Sequence, residues 1–377
     1  MPPSEHPTAR GERRTSNVEL LWDLVFVFAI TQVTTLLAHE LTWGGAARAL
    51  LMLALVWWAW SAFVWAANAA EANVLRAALL PATVAILISG LAIPHAFAGA
   101  ALLAASTYVA VRLLHLALYV DASRRGAASL RAIAGFAVTV AVGMGLLLAG
   151  AFAHGVAREG LWAGAVAIDY AGPGLLTRAR LRGLQEVAVA HFAERYGLFV
   201  IICLGESIAV LGASAAGEHL AAATVAGVAL GALITIAMWW TYFARFAGVA
   251  EGHLRSHSDP VLAASDAYSY LHLVIVAGII VFAAGAKVLA RHADATLADG
   301  PRLALCGGVA LFLVGLAAFR RRLSGSWGAE RLVAAAAALV LAAVTAAVAA
   351  WVLAGLLAML LAGLCAAEAV RAPGALT

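Results

Sequence analysis

Charged side chains are scarce in this sequence, and their scarcity excludes a globular protein surrounded by water. They make up 12% of the 377 residues, whereas 64% are hydrophobic. Soluble domains carry about 25% charged and about 45–50% apolar residues. The polar surface is therefore too small for a water-exposed globule, and we expect a lipid bilayer to surround much of the chain. The basic residues, with a net charge of +4, lie between apolar runs and form no patch for nucleic acid.

Motifs for metals, disulfides and cofactors are also missing. The three cysteines (Cys203, Cys306 and Cys365) lie inside apolar runs without metal-ligand spacing, and we interpret them as packing residues. The sequence contains no Walker motif, nucleophile elbow or dinucleotide fingerprint. We therefore predict no cofactor and no metal site. The first seventeen residues lack the apolar core of a signal peptide.

Long apolar runs predict an all-α polytopic membrane protein with about twelve transmembrane helices. A span needs about 20 apolar residues, and the last segment, 331–371, must turn back near residues 350–351 because a single helix would be about 60 Å long. The predicted spans lie near 18–38, 46–69, 74–93, 97–120, 131–153, 159–176, 191–213, 219–244, 261–289, 301–319, 331–350 and 352–370.

The distribution of basic residues predicts the orientation. With alternate loops assigned to the cytoplasm, seventeen of the 24 lysines and arginines fall inside and four fall outside. Cytoplasmic loops carry such an excess of positive charge. We therefore predict that both termini lie in the cytoplasm and that the protein is a multi-pass protein of the cell inner membrane.

A weak internal similarity predicts two six-helix halves. Residues 60–71 and 240–251 match at five of twelve positions at an offset of 180. Chance similarity between two apolar helices is the alternative interpretation. A duplication would give halves 18–182 and 183–371 with the same membrane orientation, flanked by cytoplasmic tails 1–17 and 372–377.

The first span carries acidic residues where a lipid-facing charge would be costly. Glu19 and Asp23 are four residues apart and share one helix face, and Gln32 follows deeper in the span. A carboxylate facing lipid costs about 2.5–3.5 kcal/mol, so we expect this face to point into the bundle. The alternative is a carboxylate that only fixes packing, by snorkelling or by pairing with an arginine.

The seventh span carries the richest set of polar residues. His191, Glu194 and Arg195 occupy its first turn, where we expect a charged pair to neutralise itself. Glu206 and Ser207 lie deeper, and Glu206 is about 16 Å from Arg195 along the helix axis. Since burial without a cation favours the protonated form of a carboxyl group, Glu206 is a candidate for reversible protonation. A structural, hydrogen-bonded glutamate is the alternative.

Three further spans carry ionisable groups near their predicted cytoplasmic ends. They are Arg112 and His115 in the fourth span, Asp169 in the sixth, and Asp266 and His272 in the ninth. Arg112 is the natural counter-ion for one of the acidic residues, but Asp23, Asp169 and Glu206 are all possible partners. The tryptophans near the end of the second span are interpreted as interfacial anchors, or alternatively as a lining that stacks on a substrate.

Two long motifs resemble the signatures of the bacterial low-temperature-requirement protein A (LtrA) family. They are VELLWDLVFVFAITQ at residues 18–32 and HFAERYGLFVIICLGES at residues 191–207, and residues 167–170 and 239–243 also fit. Trp22 stands where the family commonly has phenylalanine. The resemblance implies an integral membrane protein linked by name to growth in the cold, and it implies no particular reaction.

These patterns support three functional hypotheses. The first is a proton-coupled secondary transporter of an unknown small molecule or ion, in which Glu206 and Asp23 exchange protons. The second is a membrane-embedded enzyme acting on a lipid or isoprenoid, with His191, His272, Asp266 and Ser207 close together. The third is a channel or sensor whose polar groups are structural.

Overall fold

The structure, a computed structural model, is almost entirely helical in the part of the chain that it describes. It describes residues 15–126, 130–173, 189–216, 218 and 220–371, with only the backbone at a few helical positions. The helices are α1 Asn17–His39, α2 Trp43–Ala69, α3 Ala72–Ala92, α4 Ala101–Arg124, α5 Leu130–Phe152, α6 Gly155–Ala171, α7 Val189–Ala215, α8 Ala222–Tyr242, α9 Gly248–Arg255, α10 Pro260–Arg291, α11 Asp299–Ser324, α12 Ala329–Val344 and α13 Ala350–Arg371.

Each of the twelve predicted spans corresponds to one of these helices. Ten of the helices in the described ranges are long and apolar enough to cross a membrane. The other two predicted spans correspond to α6 with 17 residues and α12 with 16, close to the lower limit of about 17 residues. The chain turns back between Val344 and Ala350, slightly before the predicted position. The prediction of an all-α polytopic membrane protein is confirmed.

Helix α10 is the most irregular of the long helices. Asp259 caps its start by accepting a hydrogen bond from the Leu262 amide, and Pro260 fits the first helical position because it has no N–H to leave unpaired. A π-helical segment, Ser265–Leu271, then interrupts the α-helical pattern. Such bulges insert an extra residue into the turn, rotate the following side chains and often occur at functional sites.

Helices α10 and α11 pack with their backbones in direct contact. A Cβ atom at Gly278 would overlap the backbone nitrogen of Phe312, and one at Gly308 would overlap that of Phe282. Glycine at these positions lets the two helices approach closely, as small residues do in membrane proteins. This pair fixes the position of α10, which also packs against α1, α7 and α8 at the centre of the protein.

The neighbours of each helix follow a similar order in the two predicted halves. Helix α1 packs against α2 and α3, and α7 packs against α8 and α10; α3 then packs against α4 as α10 does against α11. The duplication implies this order. The boundary between the halves and both predicted tails lie almost entirely outside the described residues, so the division into halves and tails stays a prediction, as does the membrane orientation.

Candidate functional site

Most of the buried ionisable side chains in the described ranges lie toward one end of the helix bundle, which we call the inner end. Helices α1, α7 and α10 begin there, and α2, α4, α6 and α8 finish there, because successive spans alternate in direction. The inner end is the predicted cytoplasmic side. Most of the residues predicted to form a site lie within these helix ends.

Arg195 of α7 lies between two carboxylates of α1. Its guanidinium donates to Asp23 through Nε at 3.0 Å and Nη2 at 2.6 Å, and to Glu19 through Nη1 at 2.9 Å. All three side chains are buried. Glu19 and Asp23 share a helix face, as predicted, and that face points into the bundle. The prediction that Arg195 would be neutralised by its sequence neighbour is wrong, because Glu194 is exposed at the protein surface.

Neighbouring residues complete this buried cluster. The second carboxyl oxygen of Glu19 accepts hydrogen bonds from the backbone amide and the hydroxyl of Ser16. Ser16 is also the N-cap residue of α1. The Trp60 indole donates to Asp23 at 2.7 Å. His191 lies one turn before Arg195, with Nε2 3.4 Å from a Glu19 oxygen. With both carboxyl groups ionised and His191 neutral, the cluster carries one excess negative charge.

A cavity opens next to this cluster, between α2, α4, α5, α6 and α10. About 620 Å³ of its space, including the part open to solvent, is not filled by protein atoms. Trp58, Trp65 and Phe136 form apolar walls, and Ser265 and Ser269 line it from the π-helical segment of α10.

An ion pair forms the polar wall of the cavity. Arg112 of α4 donates to Asp169 of α6 at 2.8 Å, so Asp169 is its counter-ion among the three acidic residues considered from sequence. The Nε and Nη1 atoms of Arg112 have no hydrogen-bond partner, although the side chain is buried. On the same face of α4, the Nδ1 atom of His115 and the hydroxyl of Tyr108 are also buried without a partner.

A network of hydroxyl groups connects the cavity with α7. The Tyr196 hydroxyl lies 2.8 Å from Ser61 and 3.2 Å from Ser269. The Trp65 indole also donates to the Ser269 hydroxyl at 2.8 Å. This network was not predicted from sequence, because serines without charged residues near them give no recognisable signal in an apolar helix.

His272 lies deeper, inside a box of aromatic rings. Its ring is parallel to those of Trp57 and Tyr268, with centroid distances of 6.3 and 5.4 Å. Its Nε2 atom is 2.9 Å from the Tyr242 hydroxyl. The side chain is completely buried, and its environment is that of a packed core residue.

Most of the tryptophans near the end of α2 are buried inside the bundle and do not lie at the membrane interface. Trp57 and Trp60 are completely buried, and Trp58 is nearly so. Trp57 and Trp60 pack among the rings of Tyr196 and Phe199 on α7, and Trp58 stacks on Tyr170 of α6. The interfacial interpretation is therefore wrong for these three residues, and the alternative, that tryptophans line a site, describes Trp58 and Trp65.

Glu206 lies in a second polar position, away from the cluster around Arg195. The groups that act on it are the Thr31 side chain of α1 and, at longer range, Lys287 of α10. Its Oε1 atom is buried without a hydrogen-bond partner. Eleven residues separate it from Arg195, about 16 Å along α7. Because Asp23 is hydrogen-bonded to Arg195, Asp23 and Glu206 lie too far apart to exchange a proton directly.

The pairs Asp23–Arg195 and Thr31–Glu206 show that α1 and α7 run parallel. Each later residue of α1 meets a later residue of α7. Parallel packing requires an even number of membrane crossings between the two helix starts. It therefore agrees with the predicted six spans in the first half.

The remaining predicted residues do not join either group. Ser207 donates to the Cys203 carbonyl of its own helix, and Gln32 is half-buried on α1. Asp266 pairs with Arg322 of α11 at 2.8 Å. A Cβ at Gly205 would meet no described atom within 4 Å, so no described helix packs closely against this glycine. No group of three or more possible metal ligands is present in the part of the chain that was described.

Comparison with known proteins gives the family of this chain. The model of the bacterial low temperature requirement A protein (LtrA) family matches residues 14–366. The chain is similar to the protein RA0937 of Rhizobium meliloti (strain 1021), itself uncharacterized, with 31% identity over 312 residues, which cover 81% of this chain and 76% of the relative. No solved structure gives a significant match. The chain therefore belongs to the LtrA family of integral membrane proteins.

Proposed function

We propose that this protein is a proton-coupled secondary transporter of the cell inner membrane, with its substrate cavity between α2, α4, α5, α6 and α10. The observation that carries the proposal is the buried cluster of Glu19, Asp23 and Arg195 near that cavity, in which two carboxyl groups share a single guanidinium. A buried excess charge is costly. A proton is the smallest ion that can remove it.

The cluster offers a proton three acceptors. Either carboxyl group can bind it, or His191 can, which lies 3.4 Å from Glu19. Protonation of Asp23 would weaken its hydrogen bonds from Arg195 and Trp60, which join α1 to α7 and α2. Proton binding would thus change the contact between the first helices of the two predicted halves, whose relative motion is the usual basis of alternating access.

Glu206 supplies a second proton-binding position further along α7. It lies deeper in the predicted membrane than the cluster, and its Oε1 atom has no partner. We propose that protons pass between Glu206 and the inner-end cluster during the transport cycle. The proposal keeps the proton exchange between Glu206 and Asp23 that was predicted from sequence. The proton must move in two steps instead of one direct transfer, because about 16 Å separates Glu206 from the cluster.

Transient currents from reconstituted vesicles test the proposal. Proteoliposomes adsorbed on a conducting support would be perfused with a set of small organic compounds under an imposed pH gradient. We expect at least one compound to give a current that requires the gradient. Glu206→Gln and Asp23→Asn should abolish that current while the variants remain folded, and Glu194→Gln, which changes an exposed residue, should preserve it. Normal currents in both Glu206→Gln and Asp23→Asn would disprove the assigned roles.

The arrangement does not favour the enzyme hypothesis in the form derived from sequence. His191 and Ser207 are sixteen residues apart on α7, about 24 Å along its axis, whereas proton transfer requires contact at about 3 Å. Asp266 is paired with Arg322 at 2.8 Å. A channel would differ from a transporter by conducting without a bound substrate, and the same recordings distinguish the two.

A further inference from the structure

We propose that the cavity binds a small organic anion with an apolar or aromatic body, and that the anion takes the place of Asp169 on Arg112. The geometry of the cavity supports anion binding independently of the proposed transport. The statement that the bound anion is the transported substrate rests on the proposed function.

Arg112 has more hydrogen-bonding capacity than the protein uses. A guanidinium has five N–H donors. Within the part of the chain that the structure describes, Arg112 makes one hydrogen bond, to Asp169. Its Nε and Nη1 atoms are buried without partners, as are the Tyr108 hydroxyl and the Nδ1 atom of His115. These residues stand at positions i−4, i and i+3 of α4 and so share one face. Buried donors that remain unpaired indicate a site whose ligand supplies the acceptors.

A carboxylate or phosphate group fits these donors. Planar oxyanions bind the guanidinium through two parallel hydrogen bonds, and Arg112 offers that geometry once Asp169 moves aside. The Asp169 side chain is the more exposed member of the pair, 10% against 2% for Arg112. Asp169 is therefore the member of the pair with more open space beside it, into which it can turn when an anion takes its place on the guanidinium.

The walls of the cavity define the rest of the ligand. Trp58, Trp65 and Phe136 present aromatic surface to the space beside Arg112, and the Ser265 and Ser269 side chains lie on the α10 wall. Aromatic rings of this kind favour a flat apolar body. The chemistry that fits is a monoanion with one apolar ring system.

Charge balance links binding of the anion to a proton. The Arg112–Asp169 pair is neutral, so an added monoanion leaves one buried negative charge unless Asp169 takes up a proton. The other titratable groups around Asp169 are the hydroxyl groups of Tyr108 on α4 and Tyr170 on α6; Tyr270 on α10 lies beside Tyr170, and His115 lies near Arg112. Neutral tyrosines do not replace the missing charge. Anion and proton should therefore enter together.

A matched pair of probes tests the site on the purified full-length protein in detergent. The probes are 2-naphthoate and its neutral analogue 2-naphthylmethanol, and binding is measured by the fluorescence anisotropy of the naphthalene ring. We expect naphthoate to bind at least tenfold more tightly than the alcohol at pH 6, and to lose about tenfold in affinity for each unit of higher pH, as one linked proton requires. Equal binding of the two probes would overturn the proposal.

Three variants assign the preference to residues. Asp169→Asn leaves Arg112 free without a proton, so naphthoate should bind with little dependence on pH. Arg112→Gln combined with Asp169→Asn removes both charges without leaving one buried alone, and the preference for naphthoate should vanish. Arg322→Gln, whose ion pair with Asp266 lies outside the cavity, should bind as the unmodified protein does. An undiminished preference in the double variant, or an unchanged pH dependence in Asp169→Asn, would contradict the assignment.

Binding and transport can fail separately. Proton-linked binding of naphthoate without any gradient-driven current would refute the proposed transport and leave the anion site in place. Gradient-driven currents from other compounds, together with equal binding of naphthoate and the alcohol, would refute the anion site and leave transport in place.

Discussion

Removal of the Arg195 guanidinium should be one of the most destabilising single changes in the protein. Arg195→Met keeps a side chain of similar length but leaves Glu19 and Asp23, which are 0% and 1% exposed, without their cation. Asp23 would lose two hydrogen bonds and Glu19 one. Breaking a buried ion pair by removing one partner typically costs about 3–5 kcal/mol, because the remaining charge is buried and uncompensated.

The same reasoning predicts that the remaining carboxylates cause the loss. The triple variant Glu19→Gln, Asp23→Asn and Arg195→Met has no buried charge in the cluster, and uncharged replacement of a buried ion network is often close to neutral. We therefore expect the triple variant to be more stable than Arg195→Met alone by about 2 kcal/mol or more. The comparison separates the penalty of a buried charge from loss of side-chain packing.

Reversible unfolding in mixed detergent micelles, with SDS as the denaturant and tryptophan fluorescence as the signal, measures these free energies of unfolding. Arg322→Met is the matched control, because it breaks a pair whose side chains are 29% and 18% exposed, and we expect about 1 kcal/mol or less from a pair near the surface. The reasoning is refuted if Arg195→Met costs no more than Arg322→Met. It is also refuted if the triple variant is no more stable than Arg195→Met.

Two further predictions test the packing of the second half by the same unfolding measurement. Gly278→Ala and Gly308→Ala each force the backbones of α10 and α11 apart and should lower the free energy of unfolding by about 1–3 kcal/mol or more. Gly205→Ala is the control, because its added Cβ meets no described atom within 4 Å and should change stability little. Equal effects at all three sites would contradict the close packing. Arg331 and Glu368 form a buried pair at 2.8 Å between α12 and α13. Arg331→Glu should therefore lower the free energy of unfolding by about 3–5 kcal/mol. The double variant Arg331→Glu with Glu368→Arg restores opposite charges and should recover part of that loss. No recovery would show that the pair is not an isolated electrostatic contact.

The spans could be predicted from sequence because their signal is local. A run of apolar residues of the right length needs lipid wherever it packs, so each of the twelve predicted spans became a helix. The direction of the acidic face of α1 could be predicted too, since only the interior offers a partner for Glu19 and Asp23. These predictions depend on the solvent around a single helix, and no packing partner has to be known.

The partners themselves could not be predicted, because they depend on how helices rotate and cross. Arg112 had three acidic candidates in the sequence, and the packing of α4 with α6 brings it to Asp169. Arg195 was expected to pair within its own turn, yet Glu194 lies on an exposed face of α7, about 100° around the helix from Arg195. The π-helical segment of α10 places Ser269 against Tyr196, and no residue pattern in that segment indicates the bulge.

Helix α2 connects the charged cluster with the cavity, and under the proposed function this connection would link proton binding to substrate binding. Trp60 donates to Asp23 in the cluster, while the next residue, Ser61, lines the cavity and contacts Tyr196. A proton on Asp23 weakens the bond that orients Trp60, and any rotation of α2 that follows also moves Ser61 and the cavity wall. The two sites are therefore joined by adjacent residues on one buried helix. Coupling between them requires only that α2 has two orientations, one for each charge state of the cluster.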